Sequence, residues 1–192
     1  YSGADVIFQG PAERGFLRLI KEILGDDSCS EEEYEALDDI PWPCFDVLRN
    51  KDTLPVLTSR GCPFRCSFCA TPLLHKNFEQ RDPSSVLSEI EKNFRLYKTR
   101  NIVFYDDALL LNKEHHLFPL LEGVVRKNLP LAFHTPNGLH IREIDAETAS
   151  LFKKANFGSL FLSQESFDRR LLERACPKVS EEDLEKALVH LE

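Results

Sequence analysis

The chain has 192 residues and a formal charge of −8, a balance that disfavours broad contact with a phosphate backbone, which needs a basic face. With 42% hydrophobic residues it can bury a full domain core, yet no apolar run approaches the roughly 18 to 20 residues that cross a bilayer, and no signal peptide is read. A nucleic-acid or membrane partner is therefore not expected.

In chain order, residues 1–50 read as a lead-in. They carry an apolar stretch Val6-Ile7-Phe8, a turn at Gln9-Gly10-Pro11 and an amphipathic helix over Glu13 to Leu24. An acidic stretch follows, Glu31-Glu32-Glu33 with Asp38 and Asp39, read as a solvated face. Pro41-Trp42-Pro43 reads as a rigid extended piece that packs Trp42 on the following domain.

Residues 51–192 alternate short β-branched or aromatic runs with amphipathic helices, the pattern of successive βα units on a parallel sheet. The expected strands are Leu54 to Thr58, Asn101 to Tyr105, Leu131 to Thr135 and Ser159 to Ser163. The first helix follows Asp82-Pro83, a cap and first-turn pair, with Val86, Leu87, Ile90 and Phe94 on one face. Further helices are expected over Glu114 to Lys127, Ala146 to Ala155 and from Ser180 onward, the last with Glu181, Glu182 and Asp183 in its first turn. Sites in such folds gather at the C-terminal strand ends, so the residues after each strand carry the functional reading.

After the first strand comes Ser59-Arg60-Gly61-Cys62-Pro63-Phe64-Arg65-Cys66-Ser67-Phe68-Cys69-Ala70. Three thiolates with no fourth cysteine nearby suit a four-iron cluster with one iron left open to a small molecule. The competing reading is a tetrahedral zinc site of the three cysteines with His75, a non-catalytic interaction module. Cys29, Cys44 and Cys176 are scattered and read as ordinary thiols.

The cysteine spacing, with the aromatic Phe68 before the third cysteine, resembles the radical S-adenosylmethionine (SAM) enzymes. The resemblance implies Cys62, Cys66 and Cys69 on a [4Fe-4S] cluster, SAM chelated at the open iron, and reductive cleavage of SAM to methionine and a 5′-deoxyadenosyl radical. It also implies a partial (β/α) barrel, normally of six units, so four units read as a core incomplete at its C-terminal side with an exposed edge on the fourth strand. Gly3-Ala4-Asp5 with Gly10-Pro11-Ala12-Glu13 resembles the joint to a cobalamin-binding domain, so the lead-in reads as a linker from such a domain. The Asp-x-His-x-x-Gly pattern is absent, so cobalamin is expected in the full-length protein and not on this chain. The sequence has no methionine and opens on Tyr1, and reads as a fragment or as a sequence with residues omitted.

Within that resemblance, Asp106 and Asp107 after the second strand are placed at the amino group of SAM, one capping while the other binds. Asn137, with His134, would contact cofactor or substrate from a turn, although Asn-Gly is equally a turn dipeptide. Ser163 and Glu165 are assigned to the ribose, the alternative for Glu165 being a helix N-terminal acid. Arg60, Arg65 and Arg81 would tune the cluster or hold a carboxylate, while Phe64 and Phe68 would shield it from water. An electron donor such as flavodoxin or ferredoxin, and a cytoplasmic location, follow from the same resemblance. The reaction beyond radical initiation is open, methyl transfer fitting the cobalamin resemblance. A methylthio-transferring relative would need a second cysteine triplet, which Cys29, Cys44 and Cys176 do not form. Glycine-rich dinucleotide, phosphate-loop and hydrolase-elbow motifs are absent.

Overall fold

The computed structural model describes residues 3–8, 12–25, 36–176 and 179–192. The expected turn at 9–11, the Glu31-Glu32-Glu33 run and Cys29 lie outside them.

Four strands, β1 (Thr53–Val56), β4 (Asn101–Phe104), β5 (Ala132–Leu139) and β6 (Phe157–Leu162), form one parallel sheet in the order β1-β4-β5-β6. Each follows its sequence neighbour through a helix: α3 (Pro83–Tyr97), α4 (Leu117–Arg126) and α5 (Ala146–Lys154). Asp82 starts α3 as read from the sequence, its carboxylate accepting from Ser84 and Ser85 N–H, with Pro83 in the first turn. Pro55 lacks an N–H, and β1 tolerates it because it is an edge strand.

One sheet face carries Leu54, Val56, Ile102, Phe104 and Phe133, all buried. Against it lie Val86 and Ile90 of α3, Leu117, Leu120, Leu121 and Val124 of α4, and Phe152 of α5. Phe104 and Phe133 stack at 5.5 Å, and Phe152 stacks on Phe157 at 4.2 Å. The opposite face carries Asn101, His134 and Ser159, joined as a polar ladder: His134 Nδ1 lies 2.9 Å from Ser159 Oγ and Nε2 lies 3.0 Å from Asn101 Oδ1. The sheet thus has one apolar face under helices and one polar face.

The lead-in contains α1 (Glu13–Leu24) as expected. Asp38 departs from its solvated reading, because its carboxylate accepts from Arg81 Nε at 3.1 Å and from the Asp82 N–H. Trp42 does pack on the following domain, with Lys92 of α3 5.2 Å over its ring. Three short elements were not visible in the sequence: a two-residue antiparallel ladder of β2 (Ser59–Arg60) with β3 (Glu79–Gln80), helix α2 (Thr71–Leu74), and helix α6 (Arg169–Ala175). Helix α7 (Glu181–Leu191) begins at Ser180 through a reciprocal cap with Asp183. Among the described residues no helix is long and apolar enough to cross a membrane.

Candidate active site

The cysteine segment leaves the C-terminal end of β1 and is closed at its base by the β2–β3 ladder, where Ser59 pairs with Gln80 and Arg60 with Glu79. Arg81 N–H adds a bond to Thr58 O at 2.9 Å. Gly61 turns the chain into the loop at a φ of 85°, and a Cβ there would lie 2.4 Å from the Asn77 carbonyl oxygen. Both facts demand glycine.

Inside the loop Cys66 is buried, while Cys62 and Cys69 are half-buried. The Cys69 N–H donates to Cys66 O at 3.0 Å, and the Thr71 N–H approaches Cys69 Sγ at 3.5 Å. Among the described residues no three Cys, His, Asp or Glu side chains converge as ligands of one metal ion. Thiols carried on one loop suit the separate corners of an iron-sulfur cluster. The donor set fits an iron-sulfur group.

Two buried polar devices hold this loop. Asp106, 3% exposed, accepts through Oδ1 from Thr58 N–H at 3.1 Å, Thr58 Oγ1 at 2.7 Å and Ser59 Oγ at 2.6 Å. Burial outweighs these donors and pushes its carboxyl above the usual carboxylate value. Arg81, 9% exposed, donates to Glu89 at 2.6 Å and to Leu57 O at 3.0 Å besides Asp38. Burial raises Glu89 even against the Arg81 charge.

The structure therefore separates the adjacent aspartates. Asp106 is the one tied into the fold, its carboxylate accepting from the strand end that launches the cysteines. Asp107 is exposed at the same strand end. Of the arginines, Arg60 pairs with Glu13 at 2.6 Å and Arg81 is enclosed in its network, while Arg65 is exposed on the cysteine loop. Phe64 packs edge-on against His140 at 5.0 Å; Phe68 is exposed.

The expected turn at Pro136-Asn137-Gly138 is instead part of β5, which runs to Leu139 with a register shift between Thr135 and Leu139. His134 consequently sits mid-strand on the polar sheet face, with both ring nitrogens engaged, and does not reach the loop end. Asn137 does reach it, donating through Nδ2 to Tyr105 O at 2.9 Å. Ser163 N–H donates to Leu139 O at 3.0 Å, and a Cβ on Gly138 would fall 1.9 Å from Ser163 Oγ. Glu165 stands exposed beyond β6 at a φ of 63°.

The four strand ends thus form one rim, connected in turn by Asp106, by Asn137 to Tyr105, and by Gly138 against Ser163. Asp107, Asn137, Ser163 and Glu165 lie on it. Sequence reasoning missed Cys176, at the end of α6, whose Sγ lies 3.6 Å from Cys66 Sγ; no local motif signals a partner 110 residues away.

The profile of the Radical SAM superfamily matches residues 56–191. An uncharacterized methyltransferase of Synechocystis sp. is 30% identical over 139 residues, which is 69% of this chain and 26% of that protein. The anaerobic magnesium-protoporphyrin IX monomethyl ester cyclase of Cereibacter sphaeroides is 26% identical, covering 56% of this chain and 18% of the cyclase. A solved structure of the radical S-adenosylmethionine methyltransferase TsrM from Kitasatospora setae, with cobalamin and a [4Fe-4S] cluster bound, superposes with a TM-score of 0.61 at 24% identity. That alignment takes in 71% of this chain and 28% of TsrM. The chain spans about a fifth to a third of these relatives. The cysteine loop at the head of a helix-backed parallel sheet, together with the profile match over most of the chain, makes it a member of the radical SAM superfamily of enzymes.

Proposed function

We propose that this chain is the core of a radical SAM methyltransferase, holding a [4Fe-4S] cluster through Cys62, Cys66 and Cys69 and binding SAM along the rim. The observation that carries the reading is the cysteine loop itself: three thiols in one segment, closed by the β2–β3 ladder and anchored through Asp106 at the C-terminal end of β1. When bound, the cluster supplies the electron that cleaves the sulfonium of SAM.

The chain's own residues prepare that event by position. Asp107 is assigned to the SAM amino group, being the carboxylate of the pair left exposed once Asp106 is consumed. Asn137 and Ser163 offer an amide and a hydroxyl along the same rim, and Glu165 a carboxylate suited to ribose hydroxyls. Phe68 offers an apolar wall near the third cysteine that limits water. Methyl transfer is favoured over other radical reactions by the names of several relatives. Residues 1–50 are assigned as the joint to a cobalamin-binding domain, with cobalamin held by the longer protein. A low-potential donor of the flavodoxin or ferredoxin type would supply the electron, and a reducing cytoplasm would favour such a cluster.

The test is anaerobic reconstitution with iron and sulfide, followed by visible absorption and electron paramagnetic resonance of the reduced chain with and without SAM. A [4Fe-4S] signal that shifts on adding SAM is expected. It should be lost in Cys62→Ser, Cys66→Ser and Cys69→Ser. Bound zinc with no visible absorption would refute the reading.

A further inference from the structure

We propose that Cys66 and Cys176 form a redox pair that closes to a disulfide in the cluster-free protein and withdraws Cys66 from cluster assembly. The sequence makes Cys176 an isolated thiol, but the fold brings its Sγ to 3.6 Å from Cys66 Sγ, with both residues buried. The contact is held by backbone as well: the Ser67 N–H, next to Cys66, donates to the carbonyl of Ala175, next to Cys176, at 2.9 Å. A disulfide needs about 2.05 Å between sulfurs, so closure asks for a movement of about 1.5 Å, within reach of side-chain rotation.

The two thiols differ in access, Cys66 being 7% exposed and Cys176 1%. A peroxide is small enough to reach the former first. It oxidises the Cys66 thiol to a sulfenic acid with release of one water, and the Cys176 thiol then displaces a second water as the sulfur–sulfur bond forms. Overall two thiols lose two electrons and two protons, and one peroxide becomes two waters. A dithiol reductant reverses the bond by exchange.

Cys66 is the middle ligand of the proposed cluster, and in this respect the inference rests on that reading. With Cys66 locked, Cys62 and Cys69 remain half-buried on the loop but hold too few positions for a cluster. Cys176 would therefore act as a guard that protects the most buried ligand from irreversible oxidation and blocks loading until reducing conditions return.

The experiment takes the reduced, metal-free chain, adds one equivalent of hydrogen peroxide, caps the remaining thiols, and digests without reductant using trypsin and chymotrypsin. Cleavage after Phe68 separates Cys66 from Cys69. One cross-linked peptide pair holding Cys66 and Cys176 is expected, lost on dithiothreitol treatment and absent in Cys176→Ser. Cross-links confined to Cys62, Cys66 and Cys69, or a Cys176 that stays capped as fully as in untreated protein, would overturn the pairing. Oxidised wild-type chain should then lose most of its iron and sulfide uptake until reduced, and after a several-fold excess of peroxide Cys176→Ser should recover less on reduction than wild type, because its Cys66 passes beyond the reversible sulfenic acid. Equal uptake before and after the cross-link forms would overturn the blocking role. A cross-link that forms in a chain that never loads iron, even fully reduced, instead defeats the cluster reading and leaves the pair standing.

Discussion

The two sides of the rim are built differently. On the β1–β4 side the chain is fixed by buried polar groups: Asp106 takes both hydroxyls and the amide of Thr58-Ser59, and Arg81 ties Leu57 O to Glu89 and Asp38. On the β5–β6 side the ends meet through the Leu139–Leu162 pairing, the bond from Ser163 N–H to Leu139 O and a close glycine, with Asn137 reaching back to Tyr105 at the β4 end, and Phe161 of β6 is 57% exposed. A cluster needs its thiolates placed before it assembles, and rigid anchors supply that. A larger ligand is better met by a rim that can shift by rotation of side chains. In the proposed function the β1–β4 side places the metal group, and its co-substrate meets Asp107 there and Asn137, Ser163 and Glu165 across the rim.

The largest test of this contrast is Asp106→Ala. It strands two hydroxyls and an amide in the interior, for an expected loss of roughly 3 kcal/mol by urea unfolding, with faster alkylation of Cys66. Asp106→Asn keeps an acceptor oxygen and should lose distinctly less. If alanine costs under about 1 kcal/mol, the anchored side is not anchored by Asp106.

Next comes Gly61→Ala. The positive φ and the 2.4 Å approach to the Asn77 carbonyl leave backbone on both sides of the clash, so no side-chain rotation relieves it. A loss of about 2 kcal/mol is expected, together with poorer cluster uptake. The matching change on the other side, Gly138→Ala, meets mainly the Ser163 hydroxyl at 1.9 Å. It should cost about 1 kcal/mol, and adding Ser163→Ala should recover part of it, a coupling that thermal unfolding of the double mutant measures. Equal costs at the two glycines would erase the proposed difference.

How much of this was legible follows from the range over which each signal acts. Asp82-Pro83 announced α3 because a cap and its helix are adjacent, and the cysteine spacing was local enough to show the metal chemistry. The four strands were visible as apolar runs, with ends displaced by at most four residues. What was hidden depends on partners far apart in sequence. That Asp106 rather than Asp107 is tied into the fold is decided by Thr58, 48 residues earlier, and the role of Cys176 by Cys66, 110 residues earlier. Pro136-Asn137-Gly138 carries turn residues, yet β5 continues through it because it remains paired to β6 at Leu139 and Leu162, with Gly138 admitting Ser163 against the backbone. The β2–β3 ladder is two residues long, too short for any periodicity.

The smallest expected effect is a control at the start of α5. Asp145 caps α5 through the Thr148 N–H at 2.8 Å and accepts from the buried Lys113 ammonium at 2.7 Å. Partial burial pushes its carboxyl up, but the Lys113 charge and the Thr148 donors prevail and hold it well below the usual carboxylate range. A depressed carboxyl stabilises the fold above its unfolded value near 4 and loses that contribution as pH falls through the folded one. Asparagine is an equally good cap, so Asp145→Asn removes the charge while leaving the helix start intact. Because the Asp145 side chain is 52% exposed, solvent screens the pair and the loss at neutral pH should be under about 1 kcal/mol. The gap between variant and wild type should narrow below about pH 4 in urea unfolding. Alkylation of Cys66 and the Gly138–Ser163 coupling should both be unchanged. A variant that disturbed either would show that the two sides of the rim are coupled through α5, and that the β1–β4 anchors do not hold the cysteine loop by themselves.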